Sequence, residues 1–118
     1  MISWIKKKIA EWKYRRKLKE KMKRMRKIHL YMIKTIAIGN DHAGPDVKRM
    51  LQRILEEQGH RVRNYGCDST ESIDYPDVAH QVASDVNRGG ADLGILICGT
   101  GIGMSMVANR YENVRAAV

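Results

Sequence analysis

Apolar residues follow helical spacings in the first 31 residues, whereas the remainder alternates short apolar runs with helical patterns. The first segment contains no Pro or Gly, which favours a helix. Its apolar residues form two stripes on roughly opposite helix faces. One stripe consists of Ile2, Ile5, Ile9 and Trp12, and the other of Tyr14, Leu18, Met22 and Met25. One straight helix cannot bury both stripes against the same surface. We therefore expect either a break near residues 14–16 or a different partner for each stripe.

From residue 32 onward, the pattern predicts four strands separated by three helices. Pro45 suits the first turn of a helix and Gly59 suits its end. The run LGILIC at 93–98 is almost wholly apolar, as expected of a strand covered on both faces. The order strand–helix repeated along the chain predicts a Rossmann-like three-layer α/β fold with a parallel sheet and right-handed crossovers. The predicted strands are 34–39, 61–65, 93–98 and 114–118, and the predicted helices are 45–58, 77–86 and 104–110.

The last predicted strand, 114–118, ends the sequence without a turn or a cap. A parallel sheet that stops at such a strand would leave an apolar edge exposed. We therefore expect that the fold is C-terminally incomplete in this sequence or that another chain covers the edge.

The charge divides the chain in the same place as the apolar pattern. The net charge is +9 overall, of which residues 1–31 carry +11 and residues 32–118 carry −2. This predicts a basic helical extension, 1–31, and a separate domain, 32–118, with ordinary composition for a soluble protein. No apolar run approaches the ~18 residues of a transmembrane helix. Two cysteines do not form a disulfide framework, and free thiols suit a cytoplasmic location.

The basic extension admits several interpretations. A basic amphipathic helix can bind nucleic acid or an anionic membrane, but it can equally be a solvated helix without a partner. It lacks the apolar core and cleavage site of a secretory signal. A mitochondrial presequence would usually contain more Ser and less Lys. Met32 directly precedes the first strand, so residues 1–31 could also be a fused extension.

Two motifs follow predicted strands, at the edge of a parallel sheet where ligands bind. Cys98 precedes the glycine-rich run 99–103, whose backbone N–H groups could favour a thiolate and hold a developing oxyanion. The alternatives are a buried apolar cysteine and a tight turn without a ligand. Asp41 and His42 could hold a polyol and an anion. Alternatively, Asp41 caps the next helix and His42 is an ordinary surface residue. The glycine spacing does not match a dinucleotide or Walker motif.

Three blocks, IAIGNDHAG (36–44), DYPD (74–77) and GILICGTGIGMSMVANR (94–110), together resemble ribose-5-phosphate isomerase B and its sugar-phosphate isomerase relatives. The blocks occur in the order and spacing of that family, and the match covers nearly all of 32–118. The ICGTGIGMS run is highly specific, and DYPD favours the pentose enzyme over the galactose-6-phosphate branch. Residues 1–31 have no counterpart.

The resemblance implies interconversion of ribose 5-phosphate and ribulose 5-phosphate through a cis-enediolate, without a metal or a cofactor. Cys98 matches the family's proton-transfer base, and the catalytic loop includes Thr100. Asp41 matches a residue that holds the sugar, His42 one near the phosphate, and Tyr75 one that lines the pocket. The loop whose backbone N–H groups face the enediolate oxygens matches Gly99, Thr100, Gly101, Ile102 and Gly103. Asn40 departs from the family only at a variable position.

The family continues beyond this sequence with a ring-opening histidine, phosphate-binding arginines and the support for a homodimer or tetramer. We therefore expect the 118-residue form to be a weak enzyme. The alternatives are an inactive fragment whose basic extension binds nucleic acid or anionic membrane, and an isomerase of a six-carbon sugar phosphate.

Overall fold

The computed structural model describes residues 2–69, 71 and 74–118, and the chain forms two compact units, 1–33 and 34–118. The first unit is one long helix, α1 (Ile2–Met32). It passes through residues 14–16 without interruption, so the predicted alternative of a break there is wrong. Both apolar stripes are exposed along it. None of the described helices has a stretch long and apolar enough to cross a membrane.

The elements of the second unit, in chain order, are β1 (Thr35–Asn40), α2 (Pro45–Glu57), β2 (Arg61–Asn64), α3 (Tyr75–Asn87), β3 (Leu93–Ile97) and α4 (Ile102–Ala108). The three strands form a parallel sheet with the order β2-β1-β3. This confirms the predicted α/β architecture with parallel strands. The two crossovers run in opposite directions along the sheet, so right-handed connections place α2 and α3 on opposite faces.

The main core lies between the sheet and α3, where β1 presents its small residues. Ala37 packs against Val82 of α3, and Gly39 leaves room for Val78 and Val82 to approach the strand. The alternate residues of β1, Ile36 and Ile38, are also buried and point to the other face. Helix α4 packs beside α3 and adds Met104 and Ala108 to the core. Close packing on both faces explains why β1 contains no exposed residue.

The fourth predicted strand is wrong, because residues 114–118 do not join the sheet. Instead, the Asn109 side chain holds this segment through two hydrogen bonds to the backbone of Ala116. Its Nδ2 donates to the Ala116 carbonyl at 2.9 Å, and its Oδ1 accepts the Ala116 N–H at 2.8 Å. Among the described residues, β3 pairs with β1 alone. An apolar run predicts burial, but only a partner strand with matching hydrogen bonds makes it a strand.

A groove of about 550 Å³ lies along the unpaired edge of β3, between that edge, the two helices α3 and α4, and residues 113–118. Leu93, Leu96 and Val114 contribute to its apolar walls. Of the predicted site residues, only Gly101 lines it. The groove is therefore a consequence of the open sheet edge and not the predicted site.

Candidate active site

The segments that follow β1 and β3 begin side by side at the carboxyl edge of the sheet. The Asp41 N–H donates to the Ile97 carbonyl at 3.1 Å, which extends the pairing of the two strands by one residue. The chain then turns so that Gly44 lies against the end of β3, where a Cβ on Gly44 would lie 2.6 Å from Cγ2 of Ile97. The two predicted motifs, one starting at Asp41 and the other at Cys98, are thus neighbours in space.

The turn after β3 brings a backbone N–H group to the Cys98 sulfur. The Gly101 N–H donates to Cys98 Sγ at 3.0 Å, and Gly101 adopts the left-handed conformation with φ +77°. Glycine accepts this conformation without the steric cost that a Cβ would bring. The Ile102 N–H donates to Thr100 Oγ1 at 3.3 Å, so the threonine hydroxyl also helps to close the turn. The sulfur therefore has a backbone donor in contact before any ligand binds.

The other side of Cys98 is apolar. Its half-buried side chain packs against a cluster of Val78 and Ala79 from α3 and Met104 from α4. The cysteine thus lies between a polar backbone turn and the hydrophobic core. The interpretation of Cys98 as a small apolar residue therefore fits only the side that contacts the core, because its other side contacts the backbone of the glycine turn.

Tyr75 and the glycine turn, which are distant in sequence, meet at Gly103. A Cβ on Gly103 would lie 2.8 Å from Cε2 and Cζ of the Tyr75 ring and 2.9 Å from its hydroxyl oxygen. Tyr75 is the first residue of α3 and its side chain is 42% exposed. The ring therefore lies against the backbone of the turn and is partly exposed to solvent.

Asp41 closes the turn that follows β1, and His42 lies exposed within that turn. The Asp41 carboxylate accepts the Ala43 N–H at 2.9 Å, while its carbonyl accepts the Gly44 N–H at 3.2 Å. The N-cap residue of α2 is Gly44, which has no side chain to cap the helix, and the Asp41 carboxylate bonds to Ala43 before the helix begins. Asp41 therefore does not cap the helix, and the capping interpretation is wrong. Its side chain, 8% exposed, is held firmly beside the β3 end.

Asn40, treated above as a variable position, is a fully buried polar residue next to the site. Its Nδ2 donates to the Asp41 carbonyl at 2.8 Å and to the Cys67 carbonyl at 3.0 Å. Its Oδ1 is buried without a hydrogen-bond partner among the described residues. Asn40 thereby joins the Asp41 turn to the loop after β2. The alternation of β1 could have indicated this, since position 40 falls on the buried face with positions 36 and 38.

Lys48 makes a second buried connection to the same loop. Its side chain is completely buried, donates to the Cys67 carbonyl at 3.0 Å and forms an ion pair with the exposed Asp68. The hydrogen bond and the charge of Lys48 lower the pKa of Asp68 below its ordinary value. A sequence signal existed, because Lys48 lies three and seven residues before Leu51 and Leu55 on the inner face of α2.

Among the described residues, no group of three or more His, Cys, Asp or Glu side chains could hold a metal ion. The candidate site consists instead of a thiol, a carboxylate, an imidazole and a phenol around a glycine turn. Such a set can exchange protons and form hydrogen bonds with a polyhydroxylated ligand.

Comparison with known proteins gives consistent matches over the second unit. The model of the Ribose/Galactose Isomerase family matches residues 36–118. Ribose-5-phosphate isomerase B of Escherichia coli strain K12 is 46% identical over 86 residues, which covers 73% of this chain and 58% of the relative. D-erythrulose-4-phosphate isomerase of Pectobacterium atrosepticum is 45% identical over 84 residues, which covers 70% of this chain and 55% of the relative.

The solved structure of ribose-5-phosphate isomerase B from Clostridium thermocellum is similar to this chain, with a TM-score of 0.68 and 44% sequence identity. The match covers 70% of this chain and 56% of that structure. The chain thus spans slightly more than half the length of each of these three proteins.

Proposed function

Because the chain belongs to the ribose/galactose isomerase family, we propose that its second unit carries the proton-transfer part of an aldose–ketose isomerase site for a sugar phosphate. The observation that carries this proposal is the position of Cys98. Its sulfur faces a backbone N–H at 3.0 Å, at the edge of the sheet where Asp41 also lies. We take Cys98 as the base.

The proposed reaction needs one group to move a proton between two neighbouring carbons. The Cys98 thiolate removes the proton from C2 of the open-chain aldose, which leaves a cis-enediolate and a thiol. The thiol returns the proton to C1, while one proton passes from the C2 hydroxyl to the C1 oxygen. Backbone N–H groups of residues 99–103 would stabilise the negative oxygens of the intermediate, as preorganised donors do in other oxyanion sites.

The residues around the turn suit the remaining parts of the substrate. Asp41, fixed by its bond to the Ala43 N–H, is positioned to accept hydrogen bonds from sugar hydroxyls. His42 is exposed beside it and can approach the phosphate. The ring of Tyr75 lies on Gly103 and forms a wall of the proposed pocket. These roles follow the family resemblance and are compatible with the positions of the side chains.

The test compares Cys98→Ala with the matched variant Cys67→Ala. Both cysteines are partly buried, but only Cys98 lies in the turn. We expect Cys98→Ala to lower the rate of ribose 5-phosphate isomerisation by about 10²–10⁴-fold, the usual cost of removing a general base. Cys67→Ala should keep its rate within about tenfold of the wild type. Exchange of the C2 hydrogen with deuterated water detects the proton transfer even when net turnover is slow.

Thiol alkylation tests ligand binding separately from turnover. Ribose 5-phosphate should protect Cys98 from iodoacetamide and leave the labelling of Cys67 unchanged. Unchanged exchange in Cys98→Ala, or no protection of Cys98, would contradict the assignment of the base.

The preferred sugar is tested with a panel. We propose ribose 5-phosphate as the substrate, because DYPD at 74–77 resembles the pentose enzymes. The named relatives include an isomerase of D-erythrulose 4-phosphate, and the family description includes galactose isomerases. The ratio of kcat/KM values for ribose 5-phosphate, D-erythrulose 4-phosphate and galactose 6-phosphate would rank these candidates.

A further inference from the structure

The first turns of α1 carry an exposed apolar stripe, composed of Ile2, Ile5, Ile9 and Trp12 and called here the N-terminal stripe. These side chains are 72%, 45%, 48% and 58% exposed. Spacings of three and four residues place them on one face of the helix. Exposed apolar side chains gathered on one face usually mark a surface that binds a partner.

Positive charge borders the N-terminal stripe on both sides. Helical geometry places Lys6 and Lys13 along one border and Lys8 along the other. The Arg16 guanidinium lies 5.4 Å from the centre of the Trp12 ring in the stripe, while Lys8 Nζ lies 5.8 Å from the centre of the ring of Trp4, which is outside the stripe. Long basic side chains can cover apolar surface with their methylene groups while their charged ends remain in a polar environment.

In the first turns of α1, an apolar face with bordering lysines and a tryptophan has features of a helix that lies in the headgroup region of a bilayer. Nucleic acid would satisfy the lysines through its phosphates, but it would leave the isoleucines in water. A second copy of the helix would bring together two strongly basic segments, since residues 1–31 hold a net charge of +11. An anionic bilayer accepts both the apolar side chains and the charge.

The second stripe, Tyr14, Leu18, Met22 and Met25, lies on the opposite side of the same continuous helix. A flat surface can therefore receive only one of the two stripes. The four residues of the second stripe include no isoleucine or tryptophan, although Trp4 lies on the same side of the helix, whereas the N-terminal stripe contains three isoleucines and Trp12. The opposite stripe provides an internal control on the same helix.

From these observations we propose that α1 binds the surface of an anionic lipid bilayer through the N-terminal stripe, with the neighbouring lysines on the headgroups. The helix lies along the surface and does not span it. The inference is independent of the isomerase proposal, because no residue of the second unit takes part in it.

Tryptophan fluorescence provides a direct measurement on the full chain, because both tryptophans of the sequence, Trp4 and Trp12, belong to α1. The protein is mixed with vesicles of phosphatidylcholine alone or of phosphatidylcholine with phosphatidylserine. We expect cosedimentation and a blue shift of the emission with the anionic vesicles, and much weaker effects with the neutral ones.

Two double variants of equal charge then separate the stripes. Ile5→Asn with Ile9→Asn should weaken binding to the anionic vesicles by at least roughly tenfold, because their apolar contribution is lost. Leu18→Asn with Met22→Asn should bind like the wild type. Far-ultraviolet circular dichroism verifies that both variants keep the helix.

Duplex DNA serves as the alternative polyanion. Since both variants keep every Lys and Arg, a purely electrostatic partner should bind them equally. The proposal is overturned if the Ile5/Ile9 variant binds anionic vesicles as well as the wild type does. It is also overturned if both variants lose binding equally, or if the emission does not shift on vesicles that sediment the protein.

Discussion

At the scale of single residues, Gly39 determines how closely α3 approaches the sheet. A Cβ at this position would lie 2.5 Å from Cγ1 of Val78 and 2.9 Å from Cγ2 of Val82. We expect Gly39→Ala to lower the free energy of unfolding by about 1–3 kcal/mol, the usual cost of overpacking a core. Chemical denaturation measures this change. Gly99→Ala is the control, because a Cβ there has no neighbour within 4 Å and stability should hardly change.

Asp85 is a buried carboxylate whose partners outweigh the cost of burial. Burial by itself would raise the pKa of Asp85, but hydrogen bonds from Arg88, Tyr65 and Arg63 hold that pKa below its ordinary value of 3.8. The carboxylate is completely buried, while both arginines are partly exposed. Asp85 thus joins α3 to Arg63 of β2 and to Tyr65, which directly follows that strand.

The lowered pKa gives a stability contribution with a defined pH dependence. Because the folded-state pKa of Asp85 lies below its unfolded value, the contribution is present above about pH 4 and is lost as the pH falls through the folded pKa. Asp85→Asn should lower the free energy of unfolding at neutral pH by about 2 kcal/mol, because charged hydrogen bonds are lost. Denaturation between neutral pH and pH 2 should therefore show a smaller acid loss in the variant. An equal acid loss in both proteins would refute the assignment.

At the scale of elements, α1 is continuous although its two stripes face opposite directions. Helix-forming residues without Pro or Gly carry the backbone through residues 14–16. The stripes do not interrupt the helix because neither needs to be buried for its backbone hydrogen bonds to form. The helix face on which apolar residues lie therefore indicates which surface of the helix can bind a partner. It does not indicate where the helix ends.

A proline placed in the middle of α1 tests this continuity. Arg16→Pro should break the helix, since it removes one backbone hydrogen bond and clashes with the preceding turn, at a cost of about 3 kcal/mol. The helical signal in circular dichroism should fall. Ser3→Pro in the first turn is the matched control and should leave the signal nearly unchanged. If Arg16→Pro also leaves the signal unchanged, the helix is already interrupted there.

At the scale of the whole molecule, charge is separated between the two ends of the chain, with +11 on residues 1–31 and −2 on residues 32–118. Binding to polyanions should therefore depend on the basic segment. Lys23→Gln with Lys27→Gln should make the slope of log K against log salt on duplex DNA less steep by about 0.9 for each phosphate that is no longer neutralised. Arg53→Gln with Arg110→Gln removes the same charge from the second unit and should leave the slope unchanged. Equal slopes in the two double variants would contradict the separation.

Local sequence patterns were sufficient to predict the order of the elements from β1 to α4 and the parallel sheet, because the apolar period and the signals of Pro45 and Gly59 act locally. They also predicted the two motifs at one edge of the sheet, since parallel strands bring their carboxyl ends together. The observed element boundaries differ from the predicted ones by a few residues. Helix α3 begins at Tyr75 because Pro76 fits its first turn.

Tertiary packing determines which distant residues meet. The contact of Tyr75 with Gly103 depends on how α3 packs against the turn after β3. The inner face of α2 indicates that Lys48 is buried, but no local pattern records that its partner is the Cys67 carbonyl in the loop after β2. The same reason explains the error at 114–118, where an apolar run was predicted to be a strand. A strand exists only through hydrogen bonds to a partner, and the Cys67 carbonyl that accepts the hydrogen bond of Asn40 likewise comes from a loop far away in sequence.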